Sequence, residues 1–130
     1  MQVPDNQTTV RRDEWLQLLH HLLKQIEDWS IAQGWSVQRQ SKQVHDGDLG
    51  EYTAPVLIIR GPGGALYVTP IGLNIIGAKG RVDLEAWPTL NRVKLLRRDD
   101  QWHIVTDSNV PIRAPWNAET FVQLVGDLHA

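Results

Sequence analysis

At 130 residues, 42% hydrophobic and 22% charged, the chain has the size and composition of one soluble globular domain over residues 1–130, with enough apolar side chains for a core. Its net charge of −2 supplies no electrostatic reason to expect nucleic acid or an anionic membrane as a partner. Cysteine is absent, which excludes disulfides, thiolate metal sites and a cysteine nucleophile, and suits an expected cytoplasmic location.

No stretch approaches the roughly eighteen consecutive apolar residues of a membrane helix, and the N-terminus lacks the apolar core of a signal peptide. Residues 1–8 are polar, contain Pro4 and show no periodicity, so they are expected to fray. From about residue 10 to 33 the pattern is helical. Trp15, Leu18, Leu19, Leu22, Leu23, Ile26 and Trp29 recur at three- and four-residue intervals and form one stripe, with Thr9 as the expected N-cap. Gly34 stands where a C′ glycine belongs, and Trp35 is placed to fold back on Trp29.

Residues 35–44 suit a first strand whose polar second half makes it an edge strand or a loop entry. The following Asp- and Gly-rich segment (45–51) reads as a polar turn. Asp46, Asp48 and Glu51 do not match an EF-hand, because its fifth and twelfth positions fall on Gly50 and Leu57.

Residues 54–106 read as short antiparallel strands joined by four tight turns, placed at 61–64, 77–80, 88–91 and 99–100. The first turn sets Arg60 opposite Ala65, Ile58 opposite Tyr67 and Val56 opposite Thr69. The second sets Ile75 opposite Val82 and Leu73 opposite Leu84. The third pairs Leu84 with Leu95, Ala86 with Val93 and Glu85 with Lys94, and the fourth pairs Leu95 with Ile104 and Arg97 with Trp102.

Side chains alternate along a strand, so this register collects Leu73, Ile75, Val82, Leu84, Ala86, Val93, Leu95, Trp102 and Ile104 on one face. Asn74, Arg81, Asp83, Glu85, Arg92 and Lys94 take the other, the pattern of a half-solvated antiparallel sheet. The segment 56–59 is apolar on both faces and should be the most deeply buried strand. Residues 110–115 form an extended connector with two prolines. Asn117 then caps a second helix, with Trp116 and Phe121 at hydrophobic-staple spacing and Phe121, Leu124, Val125 and Leu128 as the buried stripe. The expected fold is α+β: a five- to six-stranded antiparallel meander packed by a long N-terminal and a short C-terminal helix.

The chemistry on offer is sparse. Asp83 and Glu85, two apart on a strand, share a face and could hold a divalent cation, with Lys94 across from Glu85. A nuclease-like, metal-assisted hydrolase would use those three, although such sites usually carry a lysine in the same strand and none follows Glu85. The simpler reading is a cross-strand ion pair on a solvated face, with Trp87 stacked near Arg92. The histidines do not cluster, and the serines lack a Gly-x-Ser-x-Gly elbow. No phosphate loop or dinucleotide fingerprint is present, and no metal or cofactor is expected. Lacking a complete catalytic set, the chain reads as a non-catalytic interaction domain acting through its exposed sheet face or a sheet edge. Its expected contact residues are Arg81, Trp87, Arg92 and Lys94, toward a protein partner or a second copy of itself.

Overall fold

The computed structural model describes residues 6–73 and 78–130. Helix α1 (Asn6–Ala32) leads into β1 (Ser36–Asp46), a short 3-10 turn (Gly47–Leu49), β2 (Gly50–Gly61), β3 (Gly64–Gly72), β4 (Arg81–Trp87), β5 (Arg92–Arg98), β6 (Gln101–Thr106), β7 (Pro111–Ile112) and helix α2 (Ala118–Leu128). The strands form one antiparallel sheet in sequential order from β1 to β7. The α+β meander between a long and a short helix is therefore present, with seven strands among the described residues instead of five or six. The first strand expected at 35–44 is present as the edge strand β1, and the addition is the two-residue β7, which the prolines of the 110–115 connector had hidden as plain extended chain. No described helix is long and apolar enough to cross a membrane.

Helix α1 begins a turn earlier than its apolar stripe suggests. Thr9 is inside the helix, not its cap, and of the segment expected to fray, residues 6–8 are helical while 1–5 lie outside the described residues. The stripe itself is as expected: Trp15, Leu19, Leu22, Leu23 and Ile26 are fully buried, with Leu18 and Trp29 packed at its margin. The helix ends in a Schellman motif. Gly34 has φ of 81°, its N–H bonds the Ile31 carbonyl at 2.9 Å, and the Trp35 N–H bonds that of Ser30 at 3.1 Å. The Trp35 ring then lies against Phe121 of α2 at 6.2 Å, where Trp29 and Trp116 also converge. In α2, the Asn117 side chain accepts from the Thr120 N–H at 2.9 Å, and the four expected stripe residues are buried.

Two registers hold and two differ. Arg60 faces Ala65 and Ile58 faces Tyr67, the ladder ending at Leu57–Val68, short of the expected Val56–Thr69 pair. Leu95 faces Ile104 and Arg97 faces Trp102. Between β4 and β5 the pairing is offset by two residues: Val82 faces Leu95, Leu84 faces Val93, Asp83 faces Lys94 and Glu85 faces Arg92. The loop closes at Ala86 and Asn91, which exchange an N–H···O bond of 2.9 Å, while Trp87 continues alongside β3 opposite Ala65. Between β3 and β4 the chain makes a longer excursion than a four-residue turn. Leu84 faces Val68, not Leu73, and Val82 faces Pro70. The expected Ile75 pairing, Asn74 and the turn residue Gly77 lie outside the described residues.

An offset of two preserves the face of every side chain. Val82, Leu84, Ala86, Val93, Leu95, Trp102 and Ile104 all join the core beneath α1. All four residues of 56–59 are buried, Leu57 and Ile59 in the core and Val56 and Ile58 on the outer face. That outer face is not uniformly polar, since Leu96 and Val105 are buried on it too.

Beyond Val56, β2 pairs with β1 alone, and the two continue as a ribbon. A two-stranded ribbon twists more strongly than a full sheet. Tyr52 and Ala54 accordingly reach the core from the opposite phase of alternation to Leu57 and Ile59, with no break in the β1–β2 register. The ribbon tip closes over the N-terminal half of α1. There the Trp15 Nε1–H donates to the Tyr52 hydroxyl at 2.9 Å, and that hydroxyl donates to Asp46 Oδ2 at 2.7 Å.

Candidate functional site

The outer faces of β3, β4 and β5 carry the residues singled out by sequence. On β4, Arg81 and Asp83 point the same way. The guanidinium grips the carboxylate through two bonds, Nε–Oδ1 at 2.8 Å and Nη2–Oδ2 at 3.0 Å. Arg92 of β5 approaches the same carboxylate at 3.7 Å. Asp83 is only 5% exposed, and a carboxylate can be buried at that depth because two cations share it. Arg92 is anchored at its other end by Asp107, 2.9 Å away. That hydrogen bond, and after it the charge of Asp107, pushes the already very high Arg92 pKa further up.

Glu85 does not face Lys94. Its Oε1 accepts from the Trp87 indole N–H at 3.0 Å, and it makes no ion pair among the described residues. Lys94, opposite Asp83 in register, donates instead to Asn109 Oδ1 at 2.7 Å. Trp87 sets its ring edge-on to Tyr67, with centroids 6.0 Å apart, instead of stacking on Arg92; the arginine found over a tryptophan is Arg97, above Trp102. Trp87 remains 47% exposed, an unusual position for the largest apolar side chain.

Trp87, Glu85, Asp83 and Arg92, with Tyr67, Thr69 and Ile71 of β3, line a hollow of about 390 Å³ on the sheet surface. The fold thus brings together Arg81, Asp83, Glu85, Trp87 and Arg92 and sets Lys94 to one side. Among the described residues no group of three or more His, Asp or Glu side chains is spaced to hold a metal ion. Asp46, read as part of a solvated turn, is buried, accepting from Tyr52 and from the Leu73 N–H at 2.7 Å.

Sequence reading missed the three β3 residues, whose partners depend on the β3–β4 register. It also missed Asp107 and Asn109, whose turn returns over the outer face to meet β5. The Asx-rich composition of 107–109 marks a turn but not which cations it will hold. No protein-family model matches this sequence, and neither a curated protein nor a solved structure matches it significantly.

Proposed function

We propose that this protein is a small non-catalytic interaction domain that takes a protein partner on the outer face of β3–β5. The observation that carries this reading is Trp87: a half-exposed indole at the rim of a hollow, buttressed by Tyr67 and oriented by Glu85. An aromatic side chain held rigid and left facing solvent is the usual form of an interface anchor. Around it Arg81, Asp83, Arg92 and Asp107 are already paired, which gives the face shape and rigidity without a large net field. Lys94 makes no ion pair among the described residues and remains available to steer an incoming surface, while Glu85 stands across the ladder from Arg92. The long edge strand β1 is mostly exposed and forms the other available docking element, carrying Arg39 and Lys42 of the kind that discourage indiscriminate strand addition.

The hydrolase alternative draws no support from these contacts, because Asp83 is held by two guanidinium groups and Glu85 by an indole N–H. The test is partner capture with a tagged protein. Trp87→Ala should weaken capture by roughly tenfold or more, the cost of truncating an aromatic anchor, and Lys94→Ala by less. Both should leave the melting temperature nearly unchanged. Capture that is indifferent to both substitutions would reject this face, and a concentration-dependent mass that falls in Trp87→Ala would identify the partner as a second copy.

A further inference from the structure

Strand β1 stands at one end of the sheet with β2 as its only strand neighbour, so one whole edge of its backbone is unpaired among the described residues. Seven of its first eight residues are exposed, Val37 being the partly buried exception. The register with β2 runs unbroken from Ser36 to Asp46. Alternate residues of an antiparallel pair turn their N–H and C=O away from the partner strand, so about half of β1 offers both groups outward. Edge strands are ordinarily blunted by shortness, a proline, a bulge or an overlying element, and residues 36–43 show none of these. We propose that this edge takes up an extended acidic segment of a partner protein as a further strand.

Charge selects the occupant. Residues 36–43 include Arg39 and Lys42 and no carboxylate. Ser36, Gln38, Gln40 and Lys42 share one side of the strand by alternation, and the exposed Arg60 of β2 lies opposite Ser36. Serine and glutamine can donate or accept, so the sign of this side is set by Lys42 and Arg60, neither of which makes an ion pair among the described residues. Arg39, on the other side, is bound to Glu27 of α1 at 2.7 Å. The carboxylates of β1 and β2 themselves sit at the ribbon tip, where Asp46 is buried against Tyr52 and Glu51 lies 3.7 Å from His45.

A second copy of the chain fits this edge less well. Pairing β1 with itself brings Arg39 and Lys42 of both copies into one ladder, with Glu27 the only carboxylate bound there, and like charges across a ladder oppose pairing. An acidic strand sets its carboxylates beside Lys42 and Arg60 instead. In strand addition the main-chain bonds supply affinity and the side chains choose the partner. The edge is separate from the outer face of β3–β5, and neither reading depends on the other.

The test titrates the isotope-labelled protein with a short peptide of alternating threonine and glutamate, followed by nuclear magnetic resonance. Peptides with glutamine or lysine for glutamate are the comparators. Amide resonances of residues 36–43 should shift saturably, and their exchange with solvent should slow as outward N–H groups become bonded. The glutamate peptide should bind about fivefold or more tighter than the glutamine one, the lysine peptide should not bind, and added salt should weaken the complex. Proline in place of each threonine keeps the charge but fixes φ away from the strand value, so that peptide should lose binding that charge attraction alone would retain. Lys42→Glu should weaken the glutamate peptide about fivefold or more, whereas Arg113→Glu, the same charge reversal in the connector before α2, should leave it nearly unchanged. Absence of a saturable shift on β1, equal affinity for the glutamine or lysine peptide, undiminished binding of the proline peptide, or full affinity in Lys42→Glu would each overturn the proposal. So would a mass that rises with concentration while the β1 amides become protected without peptide, which would give the edge to a second copy.

Discussion

Tyr52 ties three elements together through one oxygen, accepting from Trp15 on α1 and donating to Asp46 at the end of β1, while Asp46 also receives the Leu73 N–H from beyond β3. Burial, and after it the hydrogen bond to Asp46, pushes the Tyr52 hydroxyl well above its ordinary value near 10. The unfolded chain gives up that proton near pH 10 while the folded chain keeps it. This group's stabilisation is therefore complete below about pH 10 and is lost as pH rises beyond it. Tyr52→Phe strands two buried partners and should cost about 1–3 kcal/mol in urea unfolding at neutral pH. Between about pH 9 and about pH 11 the unaltered protein should lose more stability than Tyr52→Phe does; parallel declines would show that the hydroxyl is not linked to folding.

Among the elements, the hairpins differ in how locally they are specified. Asp99 and Asp100 have φ of 52° and 59°, so the β5–β6 hairpin turns as a type I′ pair without glycine. Aspartate tolerates the left-handed region better than most residues. The β4–β5 loop is specified from outside itself. The Thr89 hydroxyl and the Asn91 amide both donate to the carbonyl of Leu128, at 2.6 and 2.9 Å, one of the carbonyls left open at the end of α2. At the entry to β4, Gly80 has φ of 134°, and a side chain there would come within 2.4 Å of the Trp15 ring. Gly80→Ala combines backbone strain with overpacking and should destabilise by about 2–4 kcal/mol in chemical denaturation. An unchanged midpoint would mean that Trp15 can give way.

At the scale of the molecule, α2 is held to the sheet by its last turn as well as by its apolar stripe. Both ring nitrogens of His129 lie 2.9 Å from backbone carbonyls, Val125 within the helix and Ala65 on β3. A neutral imidazole can donate to one of them, and an imidazolium to both. His129→Ala should cost about 1–2 kcal/mol and speed amide exchange in α2 more than in β4 or β5. Uniform acceleration across the sheet would instead make α2 part of the global unfolding unit.

Periodicity alone was enough for both helices, their buried stripes, the Gly34 and Asn117 caps and the division of β4, β5 and β6 into inner and outer faces. These follow from local geometry, since a 3.6-residue or two-residue repeat is written into neighbouring side chains. The same two-residue repeat is blind to an offset of two, which is why Glu85 was assigned the right face and the wrong partner. Which side chain meets which partner was settled by contacts 37 and 39 residues apart at Leu128, by the turn that brings Asp107 and Asn109 back over the sheet, and by the ribbon twist that buries Asp46 against Tyr52. Those depend on where the helices and the sheet come to rest against each other, and no window of sequence contains both ends of such a contact.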